Sequence, residues 1–278
     1  MKTVSREQNI LDRIVAKRRE SISHRKRVLP DVALKLATEK AGPPRDFAGA
    51  LARDGFNVIA ELKKASPSRG LIRENYVPGE VAPFLERAGA AALSVLTEED
   101  FFLGSLADLK SVRQVTHVPV LRKDFIVDPW QVWESRAAGA DAFLLIVAVL
   151  DDASLRELLD LGRSLRMEPL VEVHSRDELD RAISAGARMI GVNNRDLRDF
   201  TVRVETSLDL VDAIPDDCIA VSESGLRSQD DLARLRRAGF DAFLIGERLM
   251  DAPDPSEPLR ALLGTAGANT PSNGAPRP

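Results

Sequence analysis

The chain has one cysteine, one tyrosine and three histidines in 278 residues, and each shortage excludes something. A single cysteine, Cys218, cannot form an internal disulfide, so the stapled scaffold of a small secreted domain is ruled out. Cys218 sits in an apolar stretch and is expected to be a small buried side chain. His24, His117 and His174 are scattered without metal-ligand spacing, so metal-free chemistry is expected. Long apolar runs are also missing. The longest, Ala142–Leu150, falls far short of the ~20 residues that cross a bilayer and reads as a strand covered on both faces. Neither G-x-G-x-x-G nor G-x-x-x-x-G-K-[ST] occurs, and no nucleophile elbow is present, so a cofactor-free reaction is expected.

Charge of one sign is not in excess either. With 39 basic and 43 acidic residues, net charge −4, the chain has no general attraction to nucleic acid. The segment Arg13–Arg27 is locally basic, but no aromatics interleave it, and it reads as a solvated helix face. The first twenty residues lack the apolar core of a secretory signal. These features together predict a cytoplasmic protein, monomeric, without nucleic-acid or membrane partners.

What the chain does have is a repeat. Ala88-Gly89, Ala138-Gly139, Ala185-Gly186 and Ala238-Gly239 each close a helical pattern just before an apolar strand. Between them lie strands that end in charge: NVIAELKK (57–64), VPVLRKDF (118–125), EPLVEVH (168–174) and CIAVSESG (218–225). Lys63, Thr97, Lys123, Val147, Glu172, Asn193, Glu223 and Gly246 mark eight presumed strand ends, one in roughly every 25 residues, which predicts a (β/α)8 barrel. An open doubly wound sheet would need a glycine-rich turn after its first strand, and none is there. Helix starts are explicit: Asp128-Pro129, Asp151 or Asp152, and the boxes Ser175-x-x-Glu178 and Ser228-x-x-Asp231. Residues 1–50, with Ile10, Leu11, Ile14 and Val15 in an apolar stripe, form an expected helical extension. Residues 51–263 form the barrel, and 264–278 an expected disordered tail.

In this fold the C-terminal rim of the barrel carries the chemistry. Lys63, Lys123, Glu172, Asn193 and Glu223 all close strands that otherwise read as buried, and Glu61 shares a face with Lys63 because strand side chains alternate. Two ammonium groups and three carboxylates meeting in a low-dielectric mouth suit proton transfer to and from a carbon skeleton. Ser66 after the first strand, Ser224-Gly225 after the seventh and Gly246-Glu247 after the eighth match the phosphate cradle of such barrels. On the residues alone, a sugar-phosphate isomerase, a Schiff-base aldolase or a non-catalytic scaffold barrel stay open. His174 reads as a loop residue, and Trp130 and Trp133 as packing.

The strings ELKKASPSRG (61–70), ALSVLTE (92–98), PVLRKDF (119–125), LVEVH (170–174), IGVNNRDL (190–197), SESGL (222–226) and LIGERLM (244–250), taken in order, resemble the indole-3-glycerol phosphate synthase family. The resemblance implies a barrel whose N-terminal extension lies over the mouth. It also implies conversion of 1-(2-carboxyphenylamino)-1-deoxyribulose 5-phosphate to indole-3-glycerol phosphate, with loss of CO2 and water, in tryptophan biosynthesis. Matched by position, it implies Lys123 as general acid, Lys63 on the substrate carboxylate, and Glu172 and Glu61 sharing acid/base work. Asn193 and Glu223 would hold sugar hydroxyls and order the lysines. Ser66, Arg195, Ser224, Gly225, Gly246 and the Glu247 main chain would hold phosphate, and Phe125 would line the ring slot. Where some members carry a further phosphate-binding lysine this chain has Ala65, which shifts that task toward main-chain amides and Arg195. A chain of this length is expected to be monofunctional, without a fused second barrel.

Overall fold

A computed structural model describes residues 9–196 and 200–265. The expected C-terminal tail lies outside the described residues except for Gly264 and Thr265. Eight parallel strands close on themselves: β1 (Asn57–Leu62), β2 (Ala92–Leu96), β3 (Val120–Lys123), β4 (Ala142–Ile146), β5 (Leu170–Val173), β6 (Met189–Asn193), β7 (Ile219–Glu223) and β8 (Ala242–Ile245). β1 pairs with β2 on one side and with β8 on the other, which removes both sheet edges.

Helices α1 (Ile10–Val28), α2 (Asp31–Lys40) and α3 (Phe47–Leu51) precede the barrel. Around it lie α4 (Pro78–Arg87), α5 (Leu106–Val115), α6 (Pro129–Ala137), α7 (Asp152–Ser164), α8 (Arg176–Ser184), α9 (Glu205–Leu210) and α10 (Gln229–Ala238), followed by α11 (Glu247–Met250) and α12 (Ser256–Leu263). Their ends follow the sequence signals. Asp128, Asp151, Ser175 and Ser228 accept main-chain N–H bonds as N-caps. Gly89, Gly139, Gly186 and Gly239 take φ of 104°, 91°, 85° and 118°, the left-handed turn that stops each helix and starts the next strand.

Strand alternation sorts the core into two layers. Val58, Ala60, Leu62, Leu93, Val95, Leu145, Val171, Ile190 and Phe243 face outward and pack under the helices. Ile59, Ala92, Leu121, Leu144, Leu170, Met189, Val221 and Leu244 point into the barrel and fill it. The inner parity, carried two residues further along, falls on Glu61, Ser94, Lys123, Ile146, Glu172, Gly191, Glu223 and Gly246. The chemical groups therefore begin at the C-terminal inward layer of the barrel, with Lys63 and Asn193 one step beyond it.

The extension does not float. Ile14 is buried in the inner cluster beside Phe125 and Leu144, and Ile22 and Leu34 bury against Trp130. The basic run on α1 differs from the expected solvated face. Arg18 is buried and ion-paired to Asp124, Arg25 bonds Glu134, and Lys26 bonds Asp128. These guanidinium and ammonium groups face acidic partners on the barrel, which composition alone could not reveal. Cys218 is half-buried just before β7, its Sγ close to the Ala187 carbonyl oxygen. Among the described residues, no helix is long and apolar enough to cross a membrane.

Candidate active site

Every residue that the sequence put forward for the site lines one cavity of about 450 Å³ at the C-terminal end of the barrel: Glu61, Lys63, Ser66, Lys123, Phe125, Glu172, Asn193, Arg195, Glu223, Ser224, Gly225, Gly246 and Glu247. That volume suits a small phosphorylated ligand.

Charged groups form the cavity wall. The Lys123 ammonium lies 3.1 Å from Glu172 Oε2 and 3.3 Å from Glu223 Oε2. Across from it, Lys63 Nζ lies 2.7 Å from Glu61 Oε1. Burial works against the charge on Lys123, but Glu172, Glu223 and Glu61 outweigh it and hold the ammonium above its ordinary range. Burial likewise disfavours charge on Glu172, yet Lys123 and His174 keep its carboxyl well below the usual value. Glu61 is lowered too, by Lys63 and Lys123 against its burial. Glu223 goes the other way. Burial, with repulsion from Glu172 and Glu61, raises its carboxyl to about 8 despite Lys123. Of these carboxyls, Glu223 is the one that carries a proton near neutrality.

Glycines make the room. A methyl group placed on inward-facing Gly191 would overlap Glu223 Oε1, and one on Gly246 would overlap Glu61 Oε1. Each carboxylate folds over a strand position that has no side chain.

The rest of the lining combines hydroxyl and glycine positions with the charged Arg69, Arg195, Glu247 and Asp251. Ala65–Ser66 and Gly70–Leu71 form a short antiparallel hairpin after β1, and Ser66 and Ser68 share a hydroxyl contact at its turn. Ser224 and Gly225 both take positive φ, 67° and 81°. Gly225 could not carry a side chain in any case, since its Cβ would meet Val202. This turn and Gly246 at the start of α11 both line the cavity, the kind of backbone that anion sites use. Arg195 bonds Glu247 at 3.1 Å and approaches Ser68 at 3.4 Å, and Arg69 reaches Glu247 and Asp251. Asn193 Oδ1 accepts the Arg195 main-chain N–H, which fixes its side chain at the end of β6. Apolar Leu96, Leu144, Ile146 and Leu244 line the same cavity, and Phe125 lies 6.2 Å from Phe102, ring centre to ring centre.

The chain belongs to the indole-3-glycerol phosphate synthase family. The family model so described matches residues 11–262. Similar proteins named indole-3-glycerol phosphate synthase include those of Aromatoleum aromaticum, 46% identical over 260 residues, and Carboxydothermus hydrogenoformans, 47% identical over 261. The matches cover 92% and 91% of this chain and 99% of each relative. Among solved structures, a 3-hexulose-6-phosphate synthase from Salmonella typhimurium superposes with TM-score 0.61 at 13% identity, covering 76% of this chain and 98% of that one. A thiamine phosphate pyrophosphorylase from Pyrococcus furiosus gives 0.57 at 16%, covering 76% and 95%. These two show the shared barrel.

The structure adds residues that the strings alone did not flag for this synthase-family site. His174 lies in the bend just after β5, the loop position expected of it, but it is largely buried there between Glu172 and Glu178. Asn194 is buried and ties the end of β6 to α9 and β7, accepting from Ser207 N and Oγ and donating to Ser222 Oγ and the Ser224 carbonyl. Arg122, fully buried, braces Asp124 and Glu134 directly beside Lys123. The signal for both was available: a polar residue at an outward, helix-covered strand position has to find partners.

Proposed function

We propose that this cavity performs the indole-3-glycerol phosphate synthase reaction with Lys123 as its general acid. The observation that carries the assignment is the largely buried Lys123 ammonium, held between Glu172 and Glu223 in a cavity also lined by apolar Leu96, Leu144, Ile146 and Phe125 and by Ser224, Gly225 and Gly246.

The substrate is 1-(2-carboxyphenylamino)-1-deoxyribulose 5-phosphate. The ring carbon bearing the carboxylate attacks the ribulose carbonyl carbon, forming the new C–C bond while charge builds on the carbonyl oxygen. A fixed ammonium beside that oxygen stabilises the charge and delivers a proton. Cleavage of the bond to the carboxylate then releases CO2 and restores the aromatic ring. The resulting carbinol loses hydroxide, which leaves as water, and the neighbouring CH2 loses a proton, giving the indole. Lys63 neutralises the substrate carboxylate and is itself tempered by Glu61 at 2.7 Å. A bare ammonium would hold that carboxylate too firmly to let it leave, so the partial neutralisation favours the transition state over the bound substrate. Glu172 and Glu61 share the acid/base steps of dehydration. Asn193 and Glu223 hold sugar hydroxyls. Ser66, Arg195, Ser224, Gly225, Gly246 and the Glu247 amide take the phosphate, and Phe125 flanks the aromatic ring.

In this reading the described part of the N-terminal extension, from residue 9 to 50, covers the mouth of the catalytic barrel, with Ile14 and Arg18 as points of attachment. All proposed groups come from one chain, which supports a monomer as the working unit. The free Cys218 and net charge of −4 support a cytoplasmic enzyme without a nucleic-acid partner. Purified protein incubated with the carboxyphenylamino-deoxyribulose phosphate should produce a rise in indole fluorescence. A flat trace with active-site-intact protein overturns the assignment.

A further inference from the structure

Two carboxylates, Glu172 and Glu223, compete for one ammonium, Lys123, and both are buried. Nothing in that trio alone says which carboxylate keeps its charge. The surroundings break the tie. Glu172 Oε1 lies 3.4 Å from His174 Nε2, an ion-pair contact rather than a hydrogen bond, since Nε2 and Glu223 Oε1 are both buried without a hydrogen-bond partner. Among the described residues Glu223 Oε1 has no comparable cation contact.

His174 is held from behind. Glu178, on α8, accepts the His174 main-chain N–H at 2.7 Å with the same oxygen that lies 3.2 Å from ring Nδ1. A carboxylate thus faces each ring nitrogen. A neutral imidazole has one bare nitrogen, whose lone pair would then point at a carboxylate oxygen; only the doubly protonated ring suits both neighbours. Glu172 and Glu178 together push the ring up to about 10 against its burial.

We propose that His174 is a positioning residue of the synthase site: clamped by Glu178, its cationic ring fixes Glu172 as the ionised carboxylate and leaves Glu223 as the protonated one. This rests on the reading of Glu172 and Lys123 as the acid/base pair. His174 stays out of the substrate cavity, which Glu172 lines. Its effect passes through Glu172 alone. The groups that set the balance are Glu178 from α8, Glu172 from β5, Lys123 from β3, Glu223 from β7, and Glu61 with Lys63 at the end of β1.

The test combines ring titration with kinetics. In histidine-labelled protein followed by NMR, His174 should stay protonated at both nitrogens through pH 8. His174→Gln, which identifies the His174 signal by its loss, should lower kcat about tenfold with KM little changed. Without the ring cation, the acid limb of the kcat–pH profile should rise by about one pH unit or more. Glu178→Gln keeps an acceptor and removes the charge, so it should bring the His174 titration down toward neutrality. It carries the test if His174→Gln fails to fold. A His174 that titrates near ~6.5 in the unaltered enzyme, or a His174→Gln enzyme with an unmoved pH profile, overturns the proposal. The titration needs no turnover, so it stands apart from the catalytic reading. Full activity in Glu172→Gln would sink that reading and leave the titration result intact.

Discussion

Asp124 joins the extension to the barrel through opposite oxygens: Oδ1 lies 2.9 Å from Arg18 of α1 and Oδ2 lies 2.9 Å from Arg122 of β3. Its next neighbour in the chain is Lys123. The same carboxylate also accepts from Thr97 and from the Phe125 main chain, so its four partners hold the end of β3 rigid. Arg122 and Arg18 keep it ionised against its burial. Helix α1 and the strand that carries the proposed general acid are therefore anchored at one point.

Replacing Arg18 with Met should loosen α1 without unfolding the barrel. Asp124 keeps Arg122, so the loss is local and falls below the ~3–5 kcal/mol of a stranded buried charge. Hydrogen exchange should show faster opening of α1 amides only, with KM raised more than kcat is lowered. Unchanged exchange across α1 would mean that Arg18 does not anchor it.

Lys123→Ala should lower turnover by ~10²-fold or more, the usual loss when a general acid is removed. Folding should survive, because Glu223 already takes a proton readily. Steady-state kinetics with circular dichroism decides. A near-normal rate removes Lys123 from its proposed role.

Gly191→Ala should displace Glu223, since the added methyl overlaps its Oε1. We expect a loss of ~1–3 kcal/mol in denaturant unfolding from overpacking and a reduced kcat. Shortening the neighbour, as Gly191→Ala with Glu223→Asp, should recover part of the stability. A double-mutant cycle measures that coupling, and strictly additive effects would show that the two positions do not touch.

The pH dependence of stability separates the carboxylates. Glu61, Glu172 and Asp124 have lowered folded-state values, so their contributions hold above the ordinary carboxylate range and are lost as pH falls from that range through the lowered values. Glu223 has the opposite sign. Its value rises from 4.5 to about 8 on folding, so its contribution is complete below pH 4.5 and is lost as pH climbs toward 8. Between pH 5 and 8, unfolding free energy should therefore decline more in the parent protein than in Glu223→Gln. Equal slopes would contradict the raised value.

Much of this was legible in the sequence. The eight strands, the helix stops at the Ala-Gly pairs and the inward pairing of Glu61 with Lys63 follow from local rules of alternation and capping. The thirteen proposed site residues meet in one cavity because the rules repeat in register. What was not legible depends on partners far away in the chain. Arg18 reads as one more basic residue on an amphipathic helix until Asp124 is placed beside it. His174 reads as a loop residue and is one, but its burial shows only when Glu178 is seen one helical turn into α8, reaching back to it instead of completing its own capping box with Ser175. Gly191 looks like an ordinary strand residue until the Glu223 side chain is laid over it.

Closure of the cylinder has a consequence for how the molecule comes into being. Asn57–Ala60 pair with Ala242–Ile245, so the first strand of the barrel finds one of its two partners only after the other seven have been made. Glu61 at the end of β1 and Gly246 just after β8 fit together only at that seam. A nascent chain lacking β8 has Lys63 and Lys123 but no finished site, and chemistry begins only once the seam is sealed.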